Sequence, residues 1–314
     1  MSSSRHPTPD PQSPIIAVIG PTGVGKTALA LVLAERLGAE IVNADSRQVY
    51  RYLDIGSAKP TAAERARVPH HLFDLVDPDE AFDCARYREL ATAAIGDIER
   101  RGRRVLVVGG TGLYVKALRY GLFPGPPRDA TMRAQLEAEE AADPGSLHRR
   151  LAKLDPLTAA RLHPHDHVRL IRALEVQRLT GRPMSAWQAE HGFRAALLPM
   201  TVIGLTFERA RLRERIAQRC RAMVEAGLLE EVRGLWARGY PRELPVLQTI
   251  GYREMGAVLA GEIKLDEALV AMTRATCQLA KRQLTWFRAD PTVSWFDSEI
   301  HSACLDAITA AAGR

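Results

Sequence analysis

The feature that most constrains this chain is a glycine-rich loop near its start, Gly20-Pro21-Thr22-Gly23-Val24-Gly25-Lys26-Thr27. An apolar run at residues 15–19 precedes the loop, and a helical pattern at residues 28–37 follows it. This order predicts a phosphate-binding loop, because glycines let backbone N–H groups converge on phosphate oxygens and the next helix adds its positive end. The motif would place Lys26 at the terminal phosphate and the Thr27 hydroxyl on Mg²⁺, the one cofactor that we expect. An ordinary glycine turn between a strand and a helix is the alternative.

Apolar runs alternate with helical patterns over most of the chain. Continuous apolar runs, as at residues 104–108 and 201–205, are typical of a parallel sheet covered by helices on both faces. We therefore predict an α/β fold with a P-loop NTPase-like core and an all-helical insertion domain, an edge strand at 292–296, a helix break at Gly227 and a last helix at 301–312. The predicted domains are a disordered leader at 1–14, the core at 15–126 and 197–314, and the helical insertion at 127–196.

Composition excludes several classes of protein. No apolar run approaches the roughly 18 residues that span a bilayer, and the polar leader lacks the apolar core of a secretory signal. The four cysteines are far apart without a C-x-x-C pair, which argues against a zinc site and suits a reducing compartment. We therefore expect a cytoplasmic protein without a membrane partner. A monomer is also expected, although nothing in the composition requires it. The net charge of +6, with 37 arginines among 43 basic residues, adds weak support for nucleic-acid binding.

Polar residues follow the ends of three predicted strands. Thr27 belongs to the glycine loop, Asp45 follows the strand at residues 40–43, and Thr111 follows residues 104–108. Ligands of parallel sheets bind beyond the carboxyl ends of the strands, so these residues should converge on one rim. Asp45 could hold magnesium through water or act as a general base, with a helix cap as the alternative. The Thr111 hydroxyl could bind a phosphate or a sugar. The alternative, that this segment is only a structural turn, is about equally reasonable.

Arginines share a face on two predicted helices. Arg215 and Arg219 are four residues apart and could add cations to the phosphate site, or they could pair with neighbouring glutamates. Arg169 and Arg172 share another face, which could contact nucleic acid or simply face solvent. Alternating histidines at residues 163–167 suggest a metal site, but no further ligand is spaced to join them, and we predict no metal there.

An ordered set of segments resembles one family, the bacterial-type tRNA dimethylallyltransferases. The segments run in the family's order over nearly the whole chain after residue 14. They are GPTGVGKT (20–27), NADSRQVY (43–50), DIGSAKP (54–60), PHHLFD (69–74), VVGGTGLY (107–114), HPHDHVRLIRALEV (163–176), RIAQRCRAMVEAGLLEEV (215–232), TIGYRE (249–254) and QLAKRQLTWFR (278–288). The first segment alone is compatible with many families of phosphate-binding proteins. The second and last segments are what restrict the resemblance to this family.

The resemblance implies transfer of a dimethylallyl group from dimethylallyl diphosphate to the exocyclic amine of an adenosine. That adenosine lies 3′ of the anticodon in tRNA, so the anticodon stem-loop is the expected partner. The glycine loop and Arg219 would then hold a diphosphate rather than ATP, although such loops are commonly described as nucleotide sites. Asp45 would accept the proton of the amine, and Asp45, Lys26 and Thr111 are the expected catalytic residues.

The resemblance also implies a set of tRNA contacts. The expected contact residues are Asp45, Ser46, Arg47, Gln48, Thr111, Arg133, Val168, Arg169, Leu170, Ile171, Arg172, Gln248, Thr249, Ile250, Gly251, Tyr252 and Arg253. An isopentenyltransferase that acts on free adenine nucleotide would share the loop and Asp45 but would not need the basic insertion. A P-loop metabolite kinase and a non-catalytic tRNA-binding NTPase are further alternatives.

Overall fold

The structure is a computed structural model that describes residues 15–193, 196–298, 305–306 and 309. The predicted leader at 1–14 and most of the predicted helix at 301–312 lie outside the described residues. The chain divides into two compact units. Unit 1 falls within Met1–Arg119 and Leu198–Arg314, and unit 2 within Tyr120–Leu197.

Unit 1 contains a six-stranded sheet in the order β3-β2-β4-β1-β5-β6. Its strands are β1 (Ile15–Ile19), β2 (Ala39–Asn43), β3 (His70–His71), β4 (Arg104–Gly109), β5 (Met200–Thr206) and β6 (Ser294–Asp297). All neighbouring strands pair in parallel. The predicted parallel α/β fold is therefore confirmed, with β6 as an edge strand.

Helices connect the strands of unit 1, four of them in succession between β5 and β6, and the elements described in unit 2 are all helices. Within the described residues they are α1 (Lys26–Leu37), α2 (Ala62–Arg67), α3 (Cys84–Arg100), α4 (Gly112–Tyr120), α5 (Ala130–Ala142), α6 (Ser146–Leu154), α7 (Pro156–Ala159), α8 (His167–Thr180), α9 (Met184–His191), α10 (Arg209–Glu225), α11 (Leu228–Ala237), α12 (Tyr252–Leu259) and α13 (Leu265–Arg288). Gly227 separates α10 from α11, as predicted. The sequence analysis assigned no element to α4.

The core of unit 1 lies on both faces of the sheet. All five residues of β1 are buried, and they alternate between two apolar clusters. Ala17 and Ile19 pack with α3 and α4 on one face, whereas Val18 packs with α1 on the other. A strand covered on both faces has no polar side, which explains the continuous apolar run in the sequence.

Unit 2 packs its helices around α8. Leu170, Ile171 and Leu174 of α8 are buried with Leu136 of α5 and Leu151 of α6. The predicted insertion at 127–196 falls inside this unit. None of the helices in the described part of the chain is both long enough and apolar enough to cross a membrane.

Candidate functional site

The glycine loop, residues 20–27, joins β1 to α1 at the carboxyl end of the sheet. Gly25 caps α1 with a φ of 101°, a left-handed conformation that strains any side chain with a Cβ atom. Lys26 begins the helix, and its Nζ donates to the carbonyl oxygens of Gly20 at 3.0 Å and Pro21 at 2.9 Å. The lysine is therefore held by its own loop, close to the loop's backbone amides.

The charge of Lys26 is sensitive to its surroundings. Burial lowers the pKa of Lys26 to about 8, the Asp45 carboxylate opposes this change, and the Arg219 guanidinium adds to it. Removing an ammonium group from water disfavours its charged form unless an anion compensates. A bound phosphate would supply that compensation.

A cavity of about 770 Å³ opens beside the loop, entirely within unit 1. It brings together predicted site residues that are far apart in the sequence. Those that line it are Thr22, Gly23, Gly25, Lys26, Thr27, Asp45, Ser46, Arg47, Gln48, Thr111, Arg219, Gln248, Thr249, Ile250, Tyr252 and Arg253. Gly20, Pro21, Val24 and Gly251 belong to the same segments without lining it.

Sheet order explains this convergence. Because β4 lies between β1 and β2, the segments that follow these three strands are neighbours at one edge. The Ser46 N–H donates to Thr111 Oγ1 at 3.0 Å, and the Thr111 N–H donates to the Ala44 carbonyl at 3.1 Å. The rim predicted for Thr27, Asp45 and Thr111 is present in the structure.

Asp45 has a defined orientation. Its N–H donates to Asn43 Oδ1 at 2.9 Å, and its Oδ1 accepts from the Arg47 N–H at 2.9 Å. Within the described residues no donor is bonded to Oδ2, and Asp45 caps none of the helices. One carboxylate oxygen therefore fixes the side chain while the other is available to accept a proton.

Arg219 faces the cavity from α10. Its Nη1 donates to Thr22 Oγ1 at 3.5 Å, and burial lowers the pKa of the guanidinium while Asp45 opposes that shift. Arg215 is exposed and lies over the Phe207 ring at 4.7 Å. Among the described residues, neither arginine forms an ion pair with Glu214 or Glu225. The half-buried Arg219 is thus the α10 cation that contacts the loop hydroxyl.

Gln283 of α13 was not predicted as a site residue. Its Oε1 accepts from the Thr22 N–H at 2.8 Å, and its Nε2 donates to the Gly110 carbonyl at 3.0 Å. One side-chain amide thus joins the glycine loop to the segment that carries Thr111. Gln283 lies in a segment that carries the family resemblance, but its partner Thr22 is 261 residues away in the sequence.

Glu231 of α11 was also not predicted. Its carboxylate accepts three backbone N–H groups, from Asp54 at 3.0 Å, Ile55 at 2.7 Å and Gly56 at 3.1 Å. It accepts a fourth hydrogen bond from the Tyr252 hydroxyl at 2.7 Å. Because Gly56 and Tyr252 line the cavity, Glu231 holds two parts of its wall together.

Some predicted tRNA contacts have internal partners. Gln48 Nε2 donates to the carbonyls of Ser57 at 3.0 Å and Ala58 at 2.9 Å. Tyr252 is 2% exposed, and Gln248 Nε2 donates to the Arg242 carbonyl at 2.7 Å. These side chains hold loops in place, whereas Arg47 is exposed at the cavity.

Unit 2 holds the remaining predicted contacts. Val168 is 74% exposed at the start of α8, and Arg169 is exposed beside Asp166, its partner in an ion pair of 3.2 Å. Leu170 and Ile171 are buried in the core of the unit. In this structure their side chains are covered by other residues of the unit.

Arg133 and Arg172 share a buried carboxylate that the sequence analysis missed. Glu175 Oε1 accepts from Arg133 Nε at 2.8 Å, and Oε2 accepts from Arg172 Nη1 at 2.6 Å. Burial alone would raise the pKa of Glu175, but these hydrogen bonds and the Asp129 N–H outweigh it and lower the pKa to about 2. Both arginines are thereby fixed in direction.

The oxygen atoms around the cavity suit Mg²⁺ bound together with a diphosphate. Thr27 and Asp45 both line the cavity, and Mg²⁺ is commonly bound by one or two protein oxygens plus phosphate oxygens and water. Within the described residues, no group of three or more His, Cys, Asp or Glu side chains could hold a metal without such a ligand.

A glycine loop at the carboxyl edge of a parallel sheet, facing a carboxylate and a half-buried arginine, defines a P-loop-like α/β protein. Residues 48–290 match the model of the IPP transferase family, and residues 13–74 match an isopentenyl transferase model. The chain belongs to the IPP transferase family.

Named relatives agree with this assignment. A tRNA dimethylallyltransferase of Geobacter metallireducens is 54% identical over 90% of this chain and 92% of the relative. The solved tRNA isopentenylpyrophosphate transferase of Bacillus halodurans is 41% identical, with a TM-score of 0.68 over 96% of this chain and 100% of that chain. A eukaryotic dimethylallyltransferase described as acting on tRNA is 31% identical, with a TM-score of 0.75 over 91% of this chain and 74% of that chain.

Proposed function

We propose that this protein transfers a dimethylallyl group from dimethylallyl diphosphate to a tRNA adenosine. The acceptor atom is the exocyclic amine of the adenosine 3′ of the anticodon, and diphosphate is released. The observation that carries the proposal is the convergence of the glycine loop, Asp45 and Arg219 on one cavity in a chain of the IPP transferase family. We expect the protein to act as a cytoplasmic monomer.

The glycine loop would hold the diphosphate of the donor. Negative charge builds on the diphosphate oxygens as the allylic C–O bond breaks, and nearby cations stabilise that charge. Lys26 and Arg219 lie at the cavity to do this. Binding a diphosphate would raise the pKa of Lys26 again, because an anion favours the ammonium form.

Asp45 would accept the proton of the attacking amine. An amine conjugated to a purine is a poor nucleophile, so its reaction needs a base as the new N–C bond forms. The free Oδ2 of Asp45 can take that proton while Oδ1 keeps its hydrogen bond to Arg47. Thr111, tied to Ser46, would help to orient the acceptor.

Mg²⁺ would be held by Thr27, by Asp45 through water, and by the diphosphate oxygens. When bound it supplies positive charge that stabilises the leaving diphosphate. The cavity wall formed by residues 56–58 and Tyr252 would keep water from the allylic carbon, which is open to competing hydrolysis. The acceptor adenosine has to leave its stacked position to enter this cavity.

A transfer assay tests the proposal. The protein is incubated with Mg²⁺, labelled dimethylallyl diphosphate and either tRNA or AMP as the acceptor. We expect label in tRNA that carries adenosine 3′ of the anticodon, and none when that adenosine is replaced by guanosine. Label in AMP but not in tRNA would instead identify an enzyme of free nucleotides.

A further inference from the structure

Asn43, the single asparagine of the sequence, ends β2 two residues before Asp45. It is 1% exposed and is not among the described residues that line the cavity. Its Oδ1 accepts from the Asp45 N–H at 2.9 Å, and its Nδ2 donates to the Asp45 carbonyl at 3.2 Å. One buried side-chain amide therefore holds both backbone polar groups of Asp45.

The same amide is bonded to a strained segment of the chain, residues 72–74. Asn43 Nδ2 also donates to the Leu72 carbonyl at 3.0 Å. Leu72 has a φ of 67° and Asp74 a φ of 54°, left-handed conformations that a Cβ atom disfavours. Such conformations persist only where the surrounding structure enforces them, and they cluster at functional sites. The bond from Asn43 is one of the contacts that hold this strained segment.

Asp74 fixes the far end of the strained segment. Its Oδ1 accepts from Lys59 Nζ at 2.6 Å, and its Oδ2 accepts from Arg65 Nη1 at 2.9 Å. Burial alone would raise the pKa of Asp74, but these hydrogen bonds outweigh it and lower the pKa. The Asp74 N–H donates to the Gln48 carbonyl at 3.3 Å. The strained segment thus supports both ends of the loop that follows β2.

We propose that Asn43 is a positioning residue for Asp45 in the transfer reaction. The inference rests on the proposed function, in which Asp45 Oδ2 accepts the proton of the attacking amine. A base has to lie within hydrogen-bond reach of the proton that it takes, so the direction of this carboxylate matters for the chemical step. The Arg47 N–H holds Oδ1, and Asn43 holds the backbone from which the side chain extends. The alternative is that Asn43 only stabilises the fold.

Single-turnover transfer at saturating tRNA and donor tests this role. Asn43→Ala should slow transfer by about 10- to 100-fold, because misplacing a reacting group by about 1 Å can cost about 100-fold. The KM for dimethylallyl diphosphate should stay close to that of the unchanged protein, since the bonds of Asn43 reach Asp45 and Leu72 rather than the glycine loop. Asn43→Ser, whose hydroxyl can still accept from the Asp45 N–H, should recover part of the rate.

Asp155→Ala in unit 2 is the matched control. Asp155 is 2% exposed, and its carboxylate accepts from the N–H groups of Thr158 at 3.1 Å and Ser185 at 2.9 Å. The substitution therefore also truncates a buried side chain that bonds the backbone. It should lower the midpoint of urea denaturation without slowing transfer at saturating substrates.

A double-mutant cycle separates an effect through Asp45 from a general loss of structure. In a protein that already carries Asp45→Asn, the base is absent, and Asn43→Ala has no base to misplace. We therefore expect Asn43→Ala to slow the residual transfer by less than about threefold in this background, because the two residues act as a unit.

The outcomes distinguish failure of this inference from failure of the proposed function. Equal slowing by Asn43→Ala in both backgrounds, or normal transfer by the folded variant, would overturn the positioning role while the protein still modifies tRNA. A loss confined to the KM for dimethylallyl diphosphate would overturn it as well. If Asn43→Ala is poorly folded, Asn43→Ser takes its place in the cycle. No transfer to tRNA by the unchanged protein would refute the function itself.

Discussion

The Thr22 N–H donates to Gln283 Oε1 at 2.8 Å, which joins the glycine loop to a helix near the other end of the chain. The Nε2 of the same Gln283 side chain donates to the Gly110 carbonyl at 3.0 Å. Two strand-end loops are therefore held at a fixed separation by a single side chain. This separation sets the space between the predicted diphosphate site and Thr111.

Replacing Gln283 by leucine should weaken binding of diphosphate. The change keeps the side chain's approximate size but leaves the Thr22 N–H and the Gly110 carbonyl unpaired, at a cost of about 1–3 kcal/mol for each buried group. We expect diphosphate affinity in the presence of Mg²⁺ to fall about tenfold or more. Titration calorimetry measures this, with Gln278→Leu on the exposed face of α13 as control. Equal affinities in the two variants would show that Gln283 does not position the loop.

Asp45→Asn should strongly slow transfer of the dimethylallyl group while leaving tRNA binding nearly unchanged. Asparagine keeps an oxygen for the Arg47 N–H but is not basic, and general bases contribute roughly 10²- to 10⁴-fold to rates. We expect single-turnover transfer to slow by about that factor, with tRNA affinity nearly unchanged. Asp79→Asn, an exposed carboxyl elsewhere in unit 1, should transfer normally. Transfer by Asp45→Asn at the normal rate would remove Asp45 from the role of base.

Diphosphate binding should weaken as the pH rises above about 8, the pKa that burial gives Lys26. Below this pH Lys26 is already a charged ammonium. Above it the neutral amine has to take up a proton when diphosphate binds, so the affinity should fall by up to about tenfold per pH unit. Arg219→Gln removes a neighbouring positive charge and raises the pKa of Lys26. The pH at which diphosphate affinity begins to fall should therefore increase. Affinities measured from pH 7 to 10 with Lys26→Arg, whose charge persists, provide the comparison. Parallel curves for Lys26→Arg and the unchanged protein would contradict the assignment.

Glu231→Gln should destabilise unit 1. The amide cannot accept from three backbone N–H groups and Tyr252 as a carboxylate does, and its own N–H₂ would face donors. We expect a loss of about 1–3 kcal/mol in the free energy of unfolding, measured by urea denaturation. Glu230→Gln, which removes an exposed carboxylate paired with Arg233, should change it by less than about 1 kcal/mol. Equal losses in both variants would show that Glu231 has no special structural role.

The pattern of the sequence predicted the secondary structure of the sheet and the rim that the strand ends form. Strand β1, the edge strand β6 and the break at Gly227 follow from local signals, namely apolar runs and a glycine between helices. Helix α4 was missed because it begins directly at Gly112, within a glycine-rich turn that suggested a loop.

The residues that fix the site were harder to predict than those that would do the chemistry. Asp45 and Thr111 carry a signal because each follows a strand. Gln283, Glu231 and Glu175 lie inside helices, where a polar residue usually faces solvent. Their partners in the two units are set by tertiary packing, which leaves no trace in the spacing of a single sequence.

Unit 2 leaves and rejoins unit 1 at adjacent points of the backbone. The Leu198 N–H donates to the Arg119 carbonyl at 3.3 Å, so the two ends of the intervening segment nearly meet. A short linker could close this gap with little loss of chain entropy. The helical segment is thus a cassette, and protein engineering could exchange or excise it without interrupting the sheet that carries the glycine loop.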